Sequence, residues 1–259
     1  MSTETVSPQK IEYVSAVDGY RDWYCAYDAG AGRDCVVVLH GHGADGEQFF
    51  TREGLAEQVK FLVDSRLSII SPDLRGNNWM NPVAAADLMG ILQQERERMK
   101  YRKCIFVSAS MGGTGALIFA MLHPEMVDGV AALGAASSIR RYRNWCAGGD
   151  LPVHKRIQEA IDAGYSESGF AAHDVCTGFA RLTMPLYFYH SAADRVIPVS
   201  EMHALRERMA GIPNAEFTEL PPLAEAPEWW SDHDTPVGYF NKAVTDILHK
   251  IHQHEKGCK

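Results

Sequence analysis

Cys35 to Leu39 reads CVVVL, five apolar side chains in succession, three of them β-branched. A strand built this way is apolar on both faces and has to be covered on both, as a parallel strand inside an α/β sheet is. Similar short apolar runs return at Leu67 to Ser71, Lys103 to Ser108, Val127 to Leu133 and Pro185 to Ser191. Helix-length segments lie between them: Glu47 to Val59, Pro82 to Met99 and Met111 to Leu122. Asn81 is the expected N-cap of the second, with Pro82 at its first position. Strands alternating with helices predict the α/β class, with a mostly parallel central sheet flanked by helices. Ile11 to Val14 and Trp23 to Tyr27 predict an opening hairpin, and Glu216 to Leu220 a last strand. In the final helix Val237, Phe240, Val244, Ile247, Leu248 and Ile251 recur at three- and four-residue steps and make one apolar face. Thr235 is its expected cap and Pro236 its first residue.

Ser137 to Leu182 breaks this rhythm. The segment predicts one clear helix near Pro152 to Ala163, with irregular stretches around Trp145 and Phe170. We read residues 1–259 as a single domain with a cap-like insertion at about 137–182, passing over the carboxyl edge of the sheet. A length of 259 residues suits one such domain.

Lysine plus arginine number 25 against 33 aspartate plus glutamate, a formal charge of −8. That sign argues against nucleic acid as a partner, because phosphate binding needs a basic surface. Six cysteines are scattered with no CxxC pair and no zinc-finger spacing, so no metal is expected, and reduced thiols in a cytoplasmic protein are. The first ten residues, MSTETVSPQK, lack a basic stretch followed by an apolar one, so a secretory signal is not expected. No apolar run approaches the ~18 residues of a membrane span.

The sharpest local signal is Ser108-Ala109-Ser110-Met111-Gly112-Gly113, between a strand and a helix. A serine nucleophile has to project its oxygen from a very tight strand-to-helix turn, and such a turn accepts only small residues two positions to either side. Ser108 and Gly112 meet that demand around Ser110. The helix that follows turns its free N–H groups toward developing negative charge. His40-Gly41-His42-Gly43 directly follows the CVVVL strand. Acyl transfer needs two backbone donors for an oxyanion, and the expected pair is the amides of Met111 and His42. Asp194 stands in a loop after the strand Pro185 to Tyr189, where it can orient a histidine. His233 lies between the last strand and the last helix, in a loop opening at the same sheet edge. Of the other histidines, His40 and His190 are expected to brace loops, and His203 falls inside a helix.

Taken together, these residues resemble an α/β-hydrolase-fold serine hydrolase of the small esterase type. Ser110, Asp194 and His233 follow that family's chain order. Pro72-Asp73-Leu74-Arg75-Gly76 is also similar to a recurrent stretch of the family. The resemblance covers about Cys35 to Ile251. It implies the α/β-hydrolase fold and attack by Ser110 on an acyl carbonyl, with His233 as base and Asp194 behind it. An acyl-serine then forms and is hydrolysed, with no cofactor. The implied partner is a small-molecule ester, with no membrane. Phe49, Trp145, Trp229 and Trp230 are expected to edge the substrate pocket, with Phe50 and Trp79 near them. Arg140, Arg141 and Arg143 are expected to form a solvated face. An amide- or carbon–carbon-bond hydrolase with the same residues is the enzymatic alternative. A hydrolase-like binding protein without turnover is the other.

Overall fold

In the computed structural model, which describes residues 7–257, eight strands form one sheet in the order β1-β2-β4-β3-β5-β6-β7-β8. The strands are β1 Gln9–Val14, β2 Arg21–Tyr27, β3 Cys35–Val37, β4 Ser68–Pro72, β5 Cys104–Ala109, β6 Gly129–Leu133, β7 Leu186–Ser191 and β8 Ala215–Leu220. β1 and β2 form the antiparallel hairpin, β2 runs antiparallel to β4, and every later pairing is parallel. The helices are α1 Gln48–Thr51, α2 Ala56–Asp64, α3 Pro82–Met99, α4 Ser110–Leu122, α5 Ile139–Ala147, α6 Pro152–Gly164, α7 Glu167–Ala172, α8 Val175–Gly178, α9 Ser200–Arg208, α10 Ser231–Asp234 and α11 Phe240–Gly257. None of them is long and apolar enough to cross a membrane.

Side-chain alternation along the strands divides the core in two. Val36, Ile69, Ile105 and Ala131 face α2 and α11, meeting Val59, Leu62, Val244 and Ile247. Val37, Ile70, Phe106 and Val130 face the other way, meeting Leu88, Ile91, Leu117 and Ile118 of α3 and α4. Each fully buried side chain of this kind contributes roughly 1.5–3 kcal/mol. The segment 137–182 packs on this second side, through Ile139, Tyr142, Ile157 and Phe170.

Several sequence expectations change in detail. The helix expected over Glu47 to Val59 is broken at Arg52, whose extended backbone (ψ 118°) separates α1 from a 3-10 turn and α2. Trp145 and Phe170 sit within α5 and α7, not in irregular chain. Their overlooked signals are the N-caps: Ser138 Oγ accepts the Arg141 amide and Ser166 Oγ the Gly169 amide. Thr235 does not cap the last helix. Its backbone is already helical, because α10 runs into a 3-10 segment, and its hydroxyl donates back to Ser231 O; the α-helix starts at Phe240. By contrast, Asn81 caps α3 as expected, its Oδ1 accepting from Val83 and Ala84. Arg140, Arg141 and Arg143 pair with Glu167, Glu201 and Asp162, and Glu201 is buried.

Candidate active site

The carboxyl ends of β5, β6 and β7 gather the candidate residues. Ser110 stands at the junction of β5 and α4 with φ +57°, a left-handed conformation that costs a side-chain-bearing residue energy. The turn is tight because α4 begins at once and passes against the loop after β3. A Cβ on Gly112 would lie 2.0 Å from the Leu39 carbonyl oxygen, so only glycine fits there. Ser108 replaces the glycine usual at the other flank, and its hydroxyl is employed: Leu39 N–H donates to Ser108 Oγ at 2.9 Å. This bond ties the strand that carries Ser110 to the loop that carries His42.

Asp194 follows β7. Its Oδ1 accepts the amides of Val196 at 2.8 Å and Ile197 at 3.0 Å, which fixes the carboxylate. Asp194 Oδ2 accepts from His233 Nδ1 at 2.7 Å, and His233 Nε2 lies 2.9 Å from Ser110 Oγ. The three expected residues therefore form one chain of hydrogen bonds. His233 sits in the single turn of α10 and not in a loop. Gly134, after β6, lies beneath the histidine. It has φ +58°, and a Cβ there would stand 3.3 Å from His233 O and 3.6 Å from Asp194 Oδ2.

Burial alone would raise the Asp194 carboxyl, but the His233 and His190 imidazoles hold it well below the usual carboxylate range. Burial works against a charged His233; the Asp194 carboxylate, with Asp234 nearby, outweighs it and raises the imidazole's pKa. The pair thus favours an imidazolium beside a carboxylate, which is the charge state a general base acquires during acyl transfer. Asp232 takes no part in this chain: its Oδ1 accepts from Ser191 Oγ and the Leu223 amide. His203 lies elsewhere, on α9, with Nε2 2.6 Å from Glu219 Oε2. His40 braces its loop, donating from Nε2 to Asp73 O at 2.8 Å.

Met111 is in the first turn of α4, where N–H groups have no preceding helical carbonyl. His42 lies in the loop after β3 and lines the same cavity as Ser110; a Cβ on the adjoining Gly41 would be 3.9 Å from Ser110 Cβ. Trp79 Nε1 donates to His42 Nδ1 at 3.3 Å. Burial, reinforced by Arg156 and His40, pushes the His42 ring down to about 4, so it is neutral near pH 7.

A cavity of about 500 Å³ opens at Ser110 and His233. Val38, Val107 and Leu133 of the sheet, Phe49 and Leu55 from the α1–α2 region, and Phe240 give it apolar walls. Arg52 and Asp234 stand at its rim, 3.5 Å apart and about half exposed. Of the expected pocket aromatics, only Phe49 lines it. Trp145 packs between Tyr142 and His154 on the other side of the sheet. Trp229 and Trp230 pack edge-to-face on each other, and Trp230 is 41% exposed. Trp79 is fully buried against Tyr142, and Phe50 is outside the lining. Among the described residues, none from 137 to 182 lines this cavity. The sequence reading missed Gly134, His190, Arg52 and Gln58 as members of the site. A glycine directly after a strand end was the available signal for Gly134; the others carried none. Among the described residues no cluster of three or more His, Cys, Asp or Glu side chains is arranged to hold a metal ion.

Comparison with known proteins agrees with this architecture. Residues 34–152 match a family described as alpha/beta hydrolase fold. A curated relative from Pseudomonas sp., a 2-hydroxy-6-oxononadienedioate/2-hydroxy-6-oxononatrienedioate hydrolase, is 29% identical over 116 residues, which are 42% of this chain and 39% of the relative. The match thus spans well under half of that relative's length. Among solved structures, a fluorophosphonate-binding serine hydrolase F from Staphylococcus aureus superposes with TM-score 0.69 at 14% identity, over 93% of this chain and 98% of that one. An esterase from Pyrococcus furiosus superposes with TM-score 0.67 at 15% identity, over 94% and 92%. The chain has the α/β-hydrolase fold.

Proposed function

We propose that this protein is a serine hydrolase that cleaves a small carboxylic ester through an acyl-Ser110 intermediate. The observation that carries the reading is the Ser110–His233–Asp194 chain of hydrogen bonds at a left-handed strand-to-helix turn. In this mechanism His233 Nε2 takes the Ser110 proton as Oγ attacks the acyl carbonyl. Asp194 stabilises the imidazolium through Nδ1. The Met111 and His42 amides receive the oxyanion, each worth about 3 kcal/mol of transition-state stabilisation. Collapse of the tetrahedral adduct expels the alcohol, which takes the His233 proton. Water then attacks the acyl-serine with His233 again as base, releasing the acid and restoring Ser110.

The resemblance to solved esterases supports an ester as the bond cleaved. The Pseudomonas relative, named as a hydrolase of a 2-hydroxy-6-oxo dienedioate, favours carbon–carbon cleavage as the second reading. A fluorophosphonate probe tests the shared chemistry: it labels Ser110 in the native protein and labels nothing in Ser110→Ala. Turnover of aryl esters, assayed beside vinylogous 1,5-diketones and aryl amides, separates the bonds. Absence of labelling at Ser110 overturns the proposal and leaves a ligand-binding protein.

A further inference from the structure

We propose that the cavity below Ser110 receives the acyl group, and that Ser71 and Gln58 recognise a hydroxyl carried on that acyl chain. This rests on the acyl-Ser110 reading above. Ser71 Oγ and Gln58 Oε1 both belong to residues lining the cavity, and both are buried with no hydrogen-bond partner among the described residues. A buried polar group left without a partner costs roughly 1–3 kcal/mol in mutational data, so two in one cavity call for an explanation.

The sheet register places Ser71 on the cavity floor. Val37 pairs with Ile70 on one side and with Phe106 on the other, so the next row runs Ser71, Val38, Val107. Ile69, Val38 and Val107 all face α2 and α11, and Ser71, two residues after Ile69, faces the same way. Ser71 is fully buried. Of these three neighbouring floor positions it alone carries a hydroxyl. From the row of Leu133 and Ala109, beside Ser110, it lies two residues down the strands, about 7 Å, and two strands across, about 10 Å. A ligand atom reaching it is therefore remote from the reacting carbonyl, at the far part of an acyl chain. Gln58 comes to the cavity from α2, on the layer facing that floor.

The chemistry of the two groups selects the ligand. Gln58 Oε1 only accepts, so its partner must carry a proton; Ser71 Oγ both donates and accepts. A hydroxyl satisfies either group, and serves whichever end of the Gln58 amide faces it. A carboxylate has no proton for Gln58 Oε1, and its charge is costly against Val38 and Val107.

The experiment compares aryl esters of straight-chain acids, from butanoyl to decanoyl, with their terminal hydroxy counterparts. The native protein, Ser71→Ala and Gln58→Leu are assayed on each pair. The reading is the ratio of kcat/KM for the hydroxylated ester to that for the plain one. Both esters share the Ser110 chemistry, so any general loss in a variant cancels. At one chain length the native ratio is expected to peak, and both variants to lower that peak about tenfold, the size of one neutral hydrogen bond. A ratio unchanged in both variants at every length overturns the hydroxyl subsite and assigns the two groups to buried water. A native protein that turns over no ester of the series overturns the acyl-Ser110 reading beneath it as well.

Discussion

The Leu39 amide donates to the Ser108 hydroxyl at 2.9 Å across the gap between β3 and β5. A glycine at 108 would leave that buried N–H to find another acceptor. The serine thus does more than fit the turn: it fixes the spacing between the strand behind Ser110 and the loop of His42. Ser108→Ala keeps the small volume and removes the acceptor. It is expected to cost about 1–3 kcal/mol of stability, the penalty of one unpaired buried donor. Urea unfolding of the two proteins measures it; equal midpoints would show that the bond contributes nothing.

His233→Ala and Asp194→Asn are each expected to reduce kcat/KM for an aryl ester by about 10⁴-fold, with the histidine change at least as severe. His203→Ala keeps normal turnover, because its ring pairs with Glu219 away from the site. Circular dichroism establishes that the variants fold. A folded, active His233→Ala protein identifies another base.

The pH profile follows from the raised His233. In the proposed mechanism His233 acts as base only when neutral, so kcat/KM is expected to fall as pH drops through its pKa, which lies above the usual 6.5 of histidine. Asp194→Asn removes the carboxylate that raises it, and whatever activity remains is expected to show its acid limb at lower pH. Stability changes in the opposite sense. A folded-state pKa above the unfolded one gives stabilisation that is complete below about pH 6.5 and is lost as pH rises through the folded value. Thermal melts at pH 6 and pH 9 on native protein and His233→Ala isolate that contribution.

Phe49→Ala is expected to shift preference toward bulkier acyl groups, because Phe49 lines the cavity and packs at a tilt against Phe240, ring centroids 5.6 Å apart. Its cost in stability is about 3–5 kcal/mol. Trp145→Ala leaves acyl preference as it was, since Trp145 packs on the other side of the sheet. Relative kcat/KM across an acyl-length series decides both.

Thiol reagents are expected to leave native activity intact. Cys25, Cys35, Cys104, Cys146 and Cys176 are all buried, and burial pushes the thiols of Cys25 and Cys146 up to about 11. Cys258 lies outside the described residues. Rapid inactivation with one equivalent of reagent incorporated would identify a thiol that the mechanism needs.

The strands along the chain and the residues at strand ends were legible because each is imposed locally. The CVVVL run, the Asn81-Pro82 start of α3 and the small residues around Ser110 state their roles within a few positions of chain. Ser110, Asp194 and His233 were expected from their turn, their loops and their order, and the hydrogen bonds that link them in the structure span 39 and 123 positions. The cavity was not legible in the same way. Its walls come from the β3, β5 and β6 ends, the α1–α2 region and the start of α11, and no local pattern says that these converge. Aromatic residues near loops suggested Trp145, Trp229 and Trp230, but packing used them elsewhere. Arg52 was hidden for a related reason: the apolar spacing of Glu47 to Val59 reads as one helix, while the extended Arg52 that breaks it sets the rim.

The placement of the segment 137–182 on the α3–α4 side has a consequence for variation. The cavity is walled by strands, by α1–α2 and by α11, so insertions or deletions in that segment leave those walls intact. Its exposed turns can be lengthened or regrafted while the cavity beside Ser110 keeps its size, provided that Ile139, Tyr142, Ile157 and Phe170 stay in the core. Changing what the cavity admits instead calls for substitutions in its own walls: the sheet floor, the stretch from Gln48 to Gln58 and the stretch from His233 to Phe240, a smaller target for selection in the laboratory.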